Sequence, residues 1–420
     1  MKRSLGSFFM GDRVIWVIFF FLCAISLTEV FSAVSSLAFK TGDYWAPIRQ
    51  HAFFLLGGTV LVWAVHCVPC RYFRVLPVLI DFIAVTLLLV VLLQGAVVND
   101  ASRWINIFGI RFQPSELAKC GAVMTTALIL SSMQREEGAD RKAIKWILTV
   151  TGIFLALIVT ENLSTAAILF LVVFLQMFIG RVPLSQLGKL LGVTILVGAL
   201  AGGSIWGITQ FDTEQKVGEI PVVGSVLHRG ETWVQRIEDK FASGKEEVDP
   251  MKYDIDGGAQ VAHANIAIAS SNFVGKMPGN STERDFLSQA FSDFIYAIII
   301  EELGIWGGAI VVLLYVFLLF RVGRLANQCE RCFPAFLAIG FALLLVIQAM
   351  VNMAVAVGLM PVTGQPLPLI SRGGTSTLVN CFYIGAILSV SRYARQAKEP
   401  ADTVLGGPMK GVKHEAEPEQ

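Results

Sequence analysis

Residues 76–95 read LPVLIDFIAVTLLLVVLLQG, twenty residues carrying a single charge, Asp81. The hydrocarbon core of a bilayer is about 30 Å thick and takes about 20 apolar residues in one helix, because lipid satisfies no exposed backbone group. The stretch therefore reads as a membrane-crossing helix. Windows of the same character recur on both sides of it, near 14–35, 49–68, 115–133, 144–160, 164–180, 189–208, 294–320, 334–357 and 377–395. Together they predict an all-α integral membrane protein of about ten spans. The fifth and sixth are separated only by Thr160-Glu161-Asn162-Leu163-Ser164.

Composition agrees. Of 420 residues, 55% are hydrophobic and 15% charged, with a mean hydropathy of +0.65. A soluble domain carries about a quarter charged residues to cover its surface. The net charge of +1 excludes the basic face that nucleic acid requires.

Lys and Arg set the orientation. Segments 1–13, 69–75, 134–143, 181–188 and 321–333 hold twelve of them, against four in 36–48, 96–113, 161–163 and 358–376. The first group is expected inside, with both termini cytoplasmic. Lys2, Arg3 and Arg13 before an apolar run also suit a cleaved signal peptide, but the length of the run favours a retained helix. The polar stretch 209–290, with 13 acidic and 8 basic residues, falls outside between the seventh and eighth spans. Within it Val234, Ile237 and Phe241 recur at helical spacing beside Glu231, Glu238 and Lys240, the pattern of a surface-lying amphipathic helix. The membrane domain is expected over 1–395, followed by a disordered cytoplasmic tail over 396–420.

Ionisable residues inside spans are expensive and face a partner or a cavity. Glu29, Asp81, Glu116, Lys119, Asp293, Glu301 and Glu302 qualify. Glu116 and Lys119, three apart, are spaced to pair, as a structural ion pair or as part of a site. Glu29 and Asp81 are expected to make interhelical hydrogen bonds. Asp293 stands where the polar loop meets an apolar helix; it serves there either as an N-cap or as a partly buried base. The outer stretch 361–376, PVTGQPLPLISRGGTS, combines three prolines, three glycines and several hydroxyls. Irregular backbone at that depth must line protein or a water-filled cavity. Its glycines, with Ser371, Thr375 and Ser376, bring backbone N–H groups within reach of a phosphate, unless the segment is only a packing loop. Seven cysteines include the pairs Cys67/Cys70 and Cys329/Cys332, all on the inner side. Two such pairs have the makings of a tetrahedral zinc site, although four unlinked thiols at a membrane edge are the commoner case.

Three segments resemble the signatures of the SEDS family: NDASRW at 99–104 with FQPSELAK at 112–119, SDFIYAIIIEELG at 292–304, and MPVTGQPLPLISRGGTS at 360–376. The similarity runs over residues 12–395 and is nearer to the division branch than to the elongation branch. It implies a ten-helix peptidoglycan glycosyltransferase of the bacterial cytoplasmic membrane that joins lipid II units, with a class B penicillin-binding protein, other division proteins and membrane lipids as partners. By matching position, the family's essential aspartate falls on Asp293. Its Arg, Glu and Lys of the first signature fall on Arg103, Glu116 and Lys119. Two positions depart from the family: Thr160-Glu161-Asn162 stands where Gln-Pro-Asp is frequent, and Arg372 where Tyr is common.

The chemistry is consistent with one carboxylate. An undecaprenyl pyrophosphate leaves without protonation, so Asp293 suffices as general base on the acceptor 4-hydroxyl, with inversion at the donor carbon. The pyrophosphate then needs Arg103, Lys119, Arg372, the Ser371-Arg372-Gly373 to Thr375 backbone, or a divalent cation such as Mg or Mn, for which no ligand cluster is visible. A lipid II flippase and a non-catalytic division scaffold are the competing expectations. Against the flippase, the marked residues concentrate at the outer face rather than the midplane.

Overall fold

The computed structural model describes residues 10–33, 45–98, 104–107, 110–210, 259–287 and 290–396. Arg103, the expected 234–241 helix and the tail beyond 396 lie outside these residues.

Each predicted window coincides with a helix: α1 Arg13–Ala33, α2 Trp45–Cys67, α3 Leu76–Val98, α4 Pro114–Ser132, α5 Ala143–Val159, α6 Leu163–Ile179, α7 Leu184–Gln210, α9 Ile295–Ala326, α10 Cys332–Ala356 and α11 Thr375–Gln396. Helix α8, Ala259–Ala269, lies within the polar stretch 209–290 and has no counterpart among the windows. Among the described residues α1, α2, α3, α9 and α10 are long and apolar enough to cross a membrane, and α5, α6 and α7 are shorter apolar helices. Short antiparallel hairpins join α3 to α4 (β1 Ile105–Ile107, β2 Ile110–Phe112) and α4 to α5 (β3 Gln134–Arg135, β4 Gly138–Ala139). The narrow break between α5 and α6 is made by Asn162, whose Oδ1 accepts from the N–H groups of Ser164 (2.9 Å) and Thr165 (3.3 Å) and starts the second helix.

Large apolar side chains point outward on α2 (Phe53), α3 (Phe82), α7 (Leu200) and α9 (Leu313), while Glu29, Glu116, Lys119, Gln176, Gln348 and Asn352 are buried. This inverts the water-soluble pattern and suits lipid as the outer solvent. Helix α10 is the hub, packed against α4, α6, α9 and α11. At the start of α1 Asp12 ties that helix to α9: its carboxylate accepts from Val14 N (2.9 Å) and pairs with Arg321 (2.7 Å).

Helix α9 corrects one expectation. The window 294–320 reads as one span, but Gly304 has φ +73° and ψ −177°, a conformation reserved for glycine, and breaks the helix in two. In a continuous helix Tyr296 and Gly308 lie about 18 Å apart along the axis. Here the Tyr296 hydroxyl donates to Gly308 O at 3.2 Å, so the first segment, 295–303, folds back against the second. Gly307 and Gly308 permit that approach: a Cβ on them meets Leu303 Cβ at 2.2 Å and Ile300 Cγ1 at 2.8 Å. Every residue from Phe294 to Glu302 is buried. The second segment, 305–326, is about 33 Å long and spans a bilayer alone. Asp293 therefore precedes a short helix enclosed in protein, not the outer end of a lipid-facing one.

The loop after α8 closes over the break. Lys276 N and Met277 N donate to Glu301 O (2.9 Å) and Glu302 O (2.8 Å), and the Lys276 ammonium pairs with the Glu301 carboxylate at 2.7 Å. Gly275 and Gly304 face each other so closely that a Cβ on either meets backbone at 2.3 Å.

Candidate active site

Asp293 sits in the turn before α9 and is half-buried. Its Oδ1 accepts from Ser292 Oγ at 2.9 Å. The N-cap of α9 is Phe294, with no side-chain capping bond, so the geometry does not require Asp293 as the cap. The turn holding Asp293 is fixed through its main chain. The carbonyls of Phe291, Ser292 and Asp293 accept in turn from Arg372 N (3.0 Å), Ser371 Oγ (2.6 Å) and Asn352 Nδ2 (2.8 Å). The second and third signatures, some 80 residues apart in sequence, thus form one unit.

The glycine-rich stretch leads into α11. Gly374 has φ +54° and open space where a Cβ would stand, so backbone is presented there without a side chain. The first N–H groups of α11 have no intrahelical acceptor, the arrangement that suits an anion. Thr375 Oγ1 donates to Arg111 O at 3.0 Å and attaches the β1–β2 hairpin to the same place. Arg372 reaches Gln50 Oε1 at 2.8 Å, and its guanidinium lies 5.7 Å from the centre of the Phe291 ring.

Glu116 and Lys119 pair at 2.8 Å, as their spacing predicts, but both are buried. The Lys119 ammonium also donates to Gln348 Oε1 at 2.8 Å. It faces protein, which departs from the expectation that it meets the pyrophosphate directly. Gln348 Nε2 donates to Pro366 O (3.1 Å), and Asn352 Nδ2 also donates to Gln365 O (2.7 Å). Gln365 in turn donates to Thr165 Oγ1 on α6 at 2.9 Å. Sequence reading missed these three amides. The available signal was Gln348 and Asn352 four apart on one face of an apolar helix, where polar groups are expensive.

Elsewhere Asp81 accepts from Thr125 Oγ1 at 2.5 Å across α3 and α4, in space left by Gly121. Neither oxygen of buried Glu29 has a hydrogen-bond partner, so its expected interhelical bond is not present. Glu301 and Glu302 are taken up by Lys276, Ser281, Thr282 and Ser32. No group of three or more His, Cys, Asp and Glu able to hold a metal occurs among the described residues, so the zinc reading of the four cysteines lacks its ligand cluster. An apolar cavity of about 270 Å³ opens between α2, α3, α4 and α11, lined by Leu61, Ile80, Phe112, Leu117, Leu378 and Phe382 among others, and shares Thr375 with the site.

The profile of the FtsW/RodA/SpoVE family, described as cell cycle proteins, matches residues 12–396. The chain is 30% identical over 376 residues to the probable peptidoglycan glycosyltransferase FtsW of Nitrosococcus halophilus, covering 87% of each. In structure it resembles a chain solved in work on the coordination of polymerization and crosslinking by a peptidoglycan synthase complex, with TM-score 0.67, 23% identity and coverage of 92% and 99%. It also resembles the rod shape determining protein RodA of Thermus thermophilus, with TM-score 0.58, 23% identity and coverage of 91% and 97%.

Proposed function

The chain belongs to the FtsW/RodA/SpoVE family of cell cycle proteins, and we propose from that membership that it is a peptidoglycan glycosyltransferase polymerising lipid II for the division septum. The observation that carries the reading is the junction of the Asp293 turn with the 361–374 segment and the start of α11, beside an apolar cavity that shares Thr375. A carboxylate, an anion-binding helix end and a lipid-compatible cavity are what a prenyl-pyrophosphate sugar donor requires.

In this mechanism Asp293 accepts the proton of the acceptor 4-hydroxyl as that oxygen attacks the donor anomeric carbon, with inversion. The bond to the pyrophosphate breaks without a proton. Its charge is met by the N–H groups at Gly373, Gly374 and Thr375 and by Arg372, with Arg103 of the first signature as a further cation. A divalent cation such as Mg or Mn would supply further charge neutralisation, but among the described residues no group of three or more His, Cys, Asp and Glu stands ready to hold one, so no step is assigned to it. Glu116 and Lys119 act from beneath, by supporting the segment that receives the phosphates.

The site faces the outside of the bacterial cytoplasmic membrane, with both termini cytoplasmic, in keeping with the Lys/Arg distribution. A class B penicillin-binding protein acts beside it to crosslink the product, in the company of other division proteins.

Asp293→Asn tests the assignment with purified protein and labelled lipid II. The amide keeps the shape of the side chain but cannot take the proton, and loss of a general base lowers rate about 10²–10⁴-fold. The variant folds and makes no glycan polymer. Retention of more than about a tenth of wild-type polymerisation contradicts the role. Wild-type protein that only translocates lipid II is a flippase, and one that does neither is a scaffold.

A further inference from the structure

We propose that Asn352 is a positioning residue for the Asp293 carboxylate, working from α10 through the main chain; this rests on the base role of Asp293 proposed above. Asn352 has no solvent exposure and sits in the packed hub helix. Its Nδ2 carries two protons, one donated to Asp293 O at 2.8 Å and the other to Gln365 O at 2.7 Å. One rigid amide therefore fixes the turn that bears the carboxylate and the segment that leads to α11.

The Asp293 carbonyl takes this bond from outside α9. The helical ladder of α9 begins one residue later, where Ala297 N bonds Phe294 O at 3.0 Å. Asp293 O therefore lies outside the helix, and the Asn352 amide bonds it from α10. The peptide plane that includes this carbonyl also contains the Cα that bears the carboxylate. Turning that plane swings the carboxylate about the main chain.

Gln348, one turn earlier on the same face, repeats the arrangement. Its Oε1 accepts from Lys119 and its Nε2 donates to Pro366 O at 3.1 Å. The Lys119 ammonium thereby sets the direction of the Gln348 amide. The Glu116–Lys119 pair, two amides one turn apart, the 365–366 carbonyls and Asp293 form a single bonded path of about two helical turns. No member of it beneath Asp293 has to touch substrate.

A displacement of about 1 Å at a reacting group can lower rate about 100-fold while binding contacts survive. Asn352→Ala is accordingly expected to lower kcat by about 10- to 100-fold, with KM for lipid II within about threefold of wild type. The acid limb of its kcat–pH profile shifts, because the carboxylate meets a different environment, while thermal unfolding in detergent falls only by what two lost hydrogen bonds account for and lipid II binding survives. Asn352→Leu keeps about the volume and removes both donors, and it gives the same split should the alanine variant not purify. A kcat within twofold of wild type overturns the proposal. So does a parallel loss of kcat, lipid II binding and thermal stability, which marks a merely structural residue. The Asp293→Asn result separates the two levels. If that variant is inactive and Asn352→Ala is normal, the base stands and the positioning role falls; if Asp293→Asn is active, the base itself falls.

Discussion

Gly304→Ala is the substitution that most directly questions the fold-back of α9. Gly304 occupies φ +73°, ψ −177°, where an L side chain costs about 1–3 kcal/mol in backbone strain. Its new Cβ also meets Phe273 O at 2.3 Å and Gly275 N at 2.6 Å. Both neighbours are backbone, so the loop must lift by roughly 1 Å to restore ordinary contact. Lifting it breaks the bonds of Lys276 N to Glu301 O and Met277 N to Glu302 O, and that of Ile305 N to Asn272 O. Each is worth about 1 kcal/mol, which brings the total to about 4–6 kcal/mol. Gly279→Ala is the control, since Gly279 also has positive φ, +89°, but has nothing within 4 Å of a Cβ. It should show the strain alone. The assay is thermal unfolding in detergent together with limited proteolysis across 270–285. The Gly304 variant melts well below the Gly279 variant and is cut faster in that loop, and its polymerisation falls with the loss of the fold-back. Equal melting temperatures and equal cleavage would refute the argument that loop and break interlock.

Lys119→Met leaves Glu116 buried without its cation and should destabilise by about 3–5 kcal/mol in thermal unfolding, whereas Lys119→Met combined with Glu116→Gln recovers most of the loss. A single variant as stable as wild type shows that the pair carries no buried charge of consequence. Arg372→Ala should weaken lipid II use more than it weakens folding; polymerisation at the wild-type rate across lipid II concentrations limits Arg372 to packing on Phe291 and Gln50. In a cysteine-free background Asp285→Cys, at an exposed position of the outer loop, should react with an impermeant maleimide in intact spheroplasts. Labelling only after lysis would invert the orientation.

The helices were readable because a run of about 20 apolar residues has few other uses. What that criterion cannot separate is lipid from protein interior, since both are apolar. Ile295 to Ile300 look in sequence like a lipid-facing run and are enclosed on all sides. The distinguishing signals were Glu301-Glu302, two carboxylates too deep for lipid, and the glycines at 304, 307 and 308. Each glycine has a separate physical task, one of backbone conformation and two of close approach. What was legible is where irregular backbone concentrates: the turn that carries Asp293 is bonded to Ser371 and Arg372 of the glycine- and proline-rich segment. Lys119 was legible as an expensive charge but not in its direction, because sequence spacing cannot say which neighbour an ammonium faces. Gln348 and Asn352 were missed because a single amide in an apolar helix carries no charge to announce it.

The bonding pattern around Asp293 also explains why the site draws on sequence so far apart. A leaving group that needs no proton asks for anion binding and for a well-aimed base, not for a second acid. Anion binding is available wherever a helix begins, and the start of α11 offers it without special side chains. Aim is harder, because a carboxylate on a turn has freedom at every preceding peptide. Here the three carbonyls leading to it are each held by a different donor: a backbone N–H of Arg372, a hydroxyl of Ser371 and an amide of Asn352. Two of those donors, Arg372 N and Ser371 Oγ, belong to the segment that leads into α11. Movement of the helix end and movement of the base are thereby tied together, so the distance between them is conserved even if both shift. That is the property an in-line displacement demands, since nucleophile, anomeric carbon and leaving oxygen must keep their spacing through the transition state.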